Sequence, residues 1–179
     1  MISLDILFYI FIIIFALIGA IRGWAKEIVA LFGTLLGLFA LNVLETYVPS
    51  FESYLLSSPV STQIRLKAIV FCVIVFCAYQ TPNLPFLGRN DRFKRERLRD
   101  VILGSILGAA NGFMIFGTIW YFIHQGKYPF TFIIEPIAST PSGEAALELI
   151  KMLPPAWLVT PYIYFAIGLA SLFVLVVLI

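Results

Sequence analysis

Charged residues are scarce in this 179-residue chain: Asp, Glu, Lys and Arg make up 12% of it, while apolar residues make up 61%. A soluble globular domain carries about 25% charged and about 45–50% apolar residues. A chain of this length could not hide so many apolar side chains from water. The composition therefore argues against a soluble enzyme, a disordered chain and a nucleic-acid-binding domain.

Residues that build catalytic or metal sites are also rare. A single histidine, His124, cannot form a zinc site alone, and Cys72 and Cys77 match no metal or redox spacing. The sequence shows no Ser-His-Asp set, no paired carboxylates and no Gly-rich phosphate loop. None of the spans predicted below carries an acid at its centre, so a carboxylate proton relay has no candidate. We therefore expect no enzymatic activity, no cofactor and no metal.

Long apolar stretches are what the chain does contain. A bilayer core of about 30 Å needs about 20 apolar residues in a helix, and proline limits each stretch because lipid cannot replace its missing donor. The predicted fold is an all-α polytopic transmembrane helical bundle with a four-helix core in residues 1–123. Its spans are predicted at residues 4–21, 28–46, 64–81 and 101–123.

The C-terminal part is predicted to hold an extracytoplasmic segment, residues 124–160, and a fifth span, residues 161–179. That span has no polar flank at its end, so a re-entrant or oblique tail is an open alternative. Apolar residues recur at helical spacing within 143–153, with Ser142 as the expected N-cap. This amphipathic helix is expected either to lie flat in the headgroup region or to pack across the ends of the spans.

Positive charge is distributed unevenly between the two sides of the predicted bundle. Alternate loops carry eight Lys and Arg residues on one side and four on the other. The bias predicts that the richer side is cytoplasmic and that the N-terminus lies outside. Trp24, Trp120 and Trp157 fall at the predicted membrane edges, where indoles are frequent.

One loop holds six of these cations. Two interpretations are open. The loop contacts anionic lipid headgroups or an acidic partner, or its charges only set the topology, which is the favoured interpretation. Interleaved acids and a single Phe make nucleic acid an improbable partner. The six residues are Arg89, Arg92, Lys94, Arg95, Arg97 and Arg99.

Small residues recur inside the spans at spacings that allow close helix contact. Gly33 and Gly37 lie in the second span, and Gly104, Gly108 and Gly112 follow one another at intervals of four in the fourth. In lipid, close backbone approach favours helix association. Packing within one bundle is the favoured interpretation, and self-association into an oligomer is the alternative.

Asn111 is the one strongly polar residue well inside a predicted span. An interhelical hydrogen bond is its favoured role. A position on a solute path is the alternative, and it would fit a small channel or transporter.

Two motifs in this order resemble the colicin V production protein (CvpA) family of bacterial inner-membrane proteins. The first is Leu-Asp followed by a helix and an Arg-Gly-x-x-x-Glu turn; the second is an Asp-led helix with glycines at every fourth position. The resemblance covers about residues 2–123. The matching residues are Asp5, Arg22, Gly23, Glu27, Gly33, Asp100, Gly104, Gly108 and Gly112.

The chain departs from this family in three places. Val101 and Asn111 stand where the family often has Arg, and the fifth apolar stretch exceeds its four-span core. The resemblance implies a non-enzymatic accessory or scaffold role in toxin (bacteriocin) production or export and in envelope homeostasis. It also implies location in the bacterial plasma membrane, where the bilayer, envelope proteins or further copies of the chain are the expected partners. A small oligomeric channel or transporter is the alternative function.

Overall fold

A computed structural model describes residues 3–80 and 93–178, and these ranges contain helices and no β-strand. The predicted all-α helical bundle is therefore confirmed. The helices are α1 (Leu4–Arg22), α2 (Trp24–Tyr47), α3 (Pro49–Ser57), α4 (Val60–Tyr79), α5 (Phe93–Gln125), α6 (Pro141–Lys151), α7 (Pro154–Trp157) and α8 (Tyr162–Leu178).

Four of these helices are long and apolar enough to cross a membrane: α1, α2, α4 and the Arg97–Gln125 part of α5. α5 has 33 residues and is about 50 Å long, so it extends well beyond a bilayer core of about 30 Å. α8 is strongly apolar, but its 17 residues span only about 25 Å. A complete crossing by α8 therefore stays a prediction.

Several helices extend further than the apolar stretches alone indicate. α2 begins at Trp24, four residues before the predicted span, because Gly23 alone separates it from α1. α4 and α5 also begin earlier than predicted, and α3 was not predicted at all. Apolar composition indicates which part of a helix contacts lipid. The helix itself is longer, because its backbone hydrogen bonds continue into the more polar residues on either side.

The closest helix pair is α1 with α5, which run antiparallel. A Cβ atom added at Gly19 would lie 2.1 Å from the Gly104 carbonyl oxygen, and one added at Gly108 would lie 2.2 Å from the Phe15 carbonyl oxygen. A Cβ atom at Gly112 would meet the same helix, 2.9 Å from Phe15 Cβ. The two backbones are therefore in direct contact, which only glycine permits on this face of α5.

α2 packs antiparallel on α4, and glycines of α2 again lie at the contact. A Cβ atom at Gly33 would lie 2.1 Å from Ala78 Cβ, and one at Gly37 would lie 2.9 Å from the Phe71 ring. Side chains, rather than backbone, fill the space opposite these glycines.

The amphipathic helix α6 packs across one end of the bundle. Ala146 and Ile150 are buried in the core cluster. Its N-cap is Thr140 and not the predicted Ser142, because Pro141 begins the helix and Thr140 Oγ1 accepts a bond from Gly143 N at 3.1 Å.

Trp120 also differs from the expectation that it lies at the membrane edge. It is only 3% exposed, and its Nε1 donates to Tyr128 Oη at 3.2 Å. Buried residues after α5, among them Tyr128 and Ala146, join Trp120 in the core cluster, so the indole belongs to the protein interior.

Candidate functional site

Four polar side chains from four helices meet inside the bundle: Arg22, Glu27, Tyr79 and Asn111, here called the polar cluster. Arg22 ends α1, Glu27 lies in the first turn of α2, and Tyr79 ends α4. Asn111 lies within α5, eleven residues or about 16 Å beyond Asp100. The cluster thus joins the four long apolar helices.

An ion pair forms the centre of the cluster. Arg22 Nη1 lies 2.6 Å from Glu27 Oε1, while Arg22 Nη2 donates to the Tyr79 carbonyl oxygen at 3.0 Å. The guanidinium also lies over the Tyr79 ring, 4.3 Å from its centroid. Arg22 therefore binds both the start of α2 and the end of α4.

Glu27 is fully buried, and each of its carboxylate oxygens has a partner. Oε1 accepts from Arg22, whereas Oε2 accepts from Asn111 Nδ2 at 2.7 Å and from Tyr79 Oη at 3.3 Å. Asn111 Nδ2 also lies 2.9 Å from the Glu27 carbonyl oxygen. A buried carboxylate needs such pairing, because burial without partners costs several kcal/mol.

Gly23 is the residue that brings the two charges together. Its φ of +84° lies in the region that side chains disfavour, and it allows α2 to begin one residue after α1 ends. A Cβ atom at Gly23 would lie 2.9 Å from Asp100 Oδ2. Asp100 Oδ1 accepts from Trp24 N at 3.2 Å, so a carboxylate of α5 caps the first turn of α2.

One atom of the cluster has no partner among the described residues. Asn111 Oδ1 is buried and accepts no hydrogen bond there. An unsatisfied buried amide oxygen costs about 1–3 kcal/mol. Asn111 Oδ1 is therefore the atom of the cluster that could accept a further hydrogen bond.

The remaining predicted residues lie away from the cluster. Asp5 lies in the first turn of α1, at the opposite end, and accepts a hydrogen bond from the Ser3 hydroxyl. Arg97 and Arg99 are exposed near the start of α5. Arg89 and Arg92 lie outside the described residues, as do the side chains of Lys94 and Arg95. Where the structure is described, no three His, Cys, Asp or Glu residues converge as they would around a metal.

The sequence interpretation of the polar residues needs one correction. The predicted second span, residues 28–46, leaves Glu27 just outside it, but Glu27 lies inside α2 and is fully buried. Asn111 forms interhelical bonds, the role that its sequence position favoured. Tyr79 was missed, since it contacts Arg22 and Glu27 across more than fifty residues of chain and carries no motif.

Comparison with known proteins identifies the family of this chain. Neither a curated protein nor a solved structure matches the chain. A family model described as "Colicin V production protein" matches residues 4–142, a range that includes all four residues of the polar cluster. Together with the four apolar helices, this match makes the chain a membrane protein that belongs to the colicin V production protein family.

Proposed function

We propose that this protein is a non-enzymatic accessory or scaffold protein of the bacterial inner membrane, acting in toxin production or export and in envelope homeostasis. The observation that carries the proposal is the polar cluster. Its ion pair, Arg22 with Glu27, also forms hydrogen bonds with α4 and α5. Such a cluster holds four helices in one arrangement. A fixed arrangement of helices suits a scaffold, whose task is to present a constant surface.

The outward face of α1 supplies a surface for such a role. Ile6, Ile10, Ile13 and Leu17 recur at helical spacing, and each is about half exposed or more. Within a membrane this face is available to lipid chains and to the spans of other proteins. The proposal assigns it to export or envelope proteins.

Site-specific photo-crosslinking in cells tests this assignment. A photoreactive residue at Ile13, on the exposed face, is expected to crosslink to identified components of an export or envelope system. The matched control is Phe71, a large side chain that is fully buried in α4 and whose photoreactive replacement is expected to give only intramolecular adducts. Recovery of lipid adducts alone from Ile13 would contradict the scaffold proposal.

The proposed orientation places the start of α5 in the cytoplasm and α3 outside. Its test uses Ser57→Cys and Arg97→Cys, at opposite ends of the bundle, in a background in which Cys72 and Cys77 are serine. A membrane-impermeant maleimide is expected to label Ser57→Cys in intact cells and to spare Arg97→Cys. The reverse pattern would invert the orientation.

A second candidate function, a small oligomeric channel or transporter, is favoured by one observation: Asn111 Oδ1 has no partner among the described residues. An unpaired acceptor within a span could bind a passing solute. Flux into proteoliposomes distinguishes the two candidates. The scaffold proposal expects none, whereas flux that falls with Asn111→Leu would favour transport.

A further inference from the structure

The start of α5 projects beyond the apolar part of the bundle at the end where α2 begins. Asp100 caps Trp24 N, so residues 93–99 lie on the outward side of the first turn of α2. Trp24 is partly exposed at this level, as indoles commonly are at the boundary between lipid chains and headgroups. Arg97 and Arg99 therefore stand at headgroup depth.

Contacts along α5 determine which way each arginine faces. Asp100 faces α2, and Gly104 and Gly108 face α1. At 100° per residue, Arg99 lies within about 60° of Ile102 and about 20° of Ile106. Those two residues are 51% and 61% exposed. Arg99 thus lies on the same side of α5 as a stripe that no helix among the described residues covers.

Arg97 occupies a different face of the same helix. It precedes Gly104 by seven residues and lies about 20° from it around the helix. This face is covered by α1, whose backbone meets Gly104. Arg97 and Arg99 are both exposed, but Val101, one turn below Arg97, is followed on its face by Gly108 against α1, whereas Ile102 and Ile106 below Arg99 are both at least half exposed.

We propose that Arg99 binds the headgroup of an anionic phospholipid whose acyl chain lies along Ile102 and Ile106. A guanidinium offers two parallel donors that match phosphate oxygens, and the apolar stripe below it suits the chain of the same lipid. Among the described side chains, none forms a salt bridge with Arg99. The proposal is independent of the scaffold function, because it concerns a lipid and not a protein partner.

Lipid titration of the purified full-length protein in detergent, followed by native mass spectrometry, tests the site. Phosphatidylglycerol is expected to bind more tightly than phosphatidylcholine. Arg99→Gln is expected to weaken phosphatidylglycerol binding about fivefold, the contribution of one cation near a membrane surface. Arg97→Gln is the matched control, of equal charge change, and is expected to weaken it less than about twofold.

Three outcomes would overturn the proposal: equal binding of both lipids, no loss in Arg99→Gln, or equal losses in the two variants. The last would mean that lipid responds to total charge and not to the uncovered stripe. Circular dichroism checks that both variants keep the native helix content, which is expected because both side chains are exposed.

Discussion

α1 and α8 are similar as sequences and different as parts of the structure. Both are strongly apolar, and they have 19 and 17 residues. α1 contacts α5 backbone to backbone through Gly19, Gly104 and Gly108, whereas a Cβ atom at Gly168 of α8 would meet nothing within 4 Å. Small residues in matching register therefore bring the α1 and α5 backbones into contact, whereas α8 packs on the bundle through larger side chains such as Ile163.

The polar contacts of α1 are also more buried than those of α8. α1 ends in Arg22, which pairs with the fully buried Glu27. α8 is linked to α2 by exposed groups: the Tyr164 and Tyr47 hydroxyls are 3.4 Å apart, and the preceding Thr160 bonds Asn42 at 3.3 Å. A polar contact matters more where its atoms have no alternative partner.

The largest loss is expected from breaking the buried ion pair of α1. Arg22→Ala leaves the Glu27 carboxylate buried without its cation, which costs about 3 kcal/mol of unfolding free energy. Lys67→Ala is the control, because it removes the more exposed pair with Glu45 and is expected to cost about 0–1 kcal/mol. Unfolding by SDS, in mixed micelles, measures both. Similar losses of unfolding free energy in the two variants would show that the buried ion pair does not stabilise the protein more than the exposed one.

A smaller loss is expected where α1 and α5 touch. Gly108→Ala places a methyl group against the Phe15 carbonyl oxygen, and such overpacking costs about 1–3 kcal/mol. Gly168→Ala makes the same change in α8, where the space is open, and is expected to be neutral or slightly stabilising. Thermal unfolding followed by tryptophan fluorescence compares them. Equal melting temperatures of the two variants would contradict the close packing of α5 on α1 at Gly108 and the open space at Gly168 of α8.

Next in size is the cap that α5 provides where α1 turns into α2. Asp100→Ala removes the acceptor of Trp24 N and is expected to cost about 1 kcal/mol, the usual value of a helix cap. Asp100→Asn keeps an acceptor oxygen and is expected to recover most of the loss. Hydrogen exchange at the first turn of α2 reports the effect locally. Unchanged exchange in Asp100→Ala would mean that water replaces the cap.

The sequence predicted the all-α bundle and its long apolar helices because both depend on local composition. It did not predict α3 or the early start of α5, since those helices run through polar residues. The motif residues Arg22, Gly23, Glu27 and Asp100 could be singled out in advance, and the structure brings all four together at one turn. Tyr79 could not, because its role arises only when the end of α4 meets that turn.

The smallest loss of stability is expected from removing a polar contact of α8. Two variants, each of which removes one tyrosine hydroxyl, measure it. Tyr164→Phe removes a hydroxyl that lies 3.4 Å from Tyr47 Oη at an exposed position, while the ring keeps its edge contact with Phe39. The expected loss is within about 0.5 kcal/mol, as for other surface changes. Tyr79→Phe makes the same change in the polar cluster, where the hydroxyl donates to a buried carboxylate, and is expected to cost about 1.5 kcal/mol. A greater loss of unfolding free energy in Tyr164→Phe than in Tyr79→Phe, measured by SDS unfolding, would contradict this order. It would mean that the exposed hydroxyl contact of α8 stabilises the protein more than the buried one in the polar cluster.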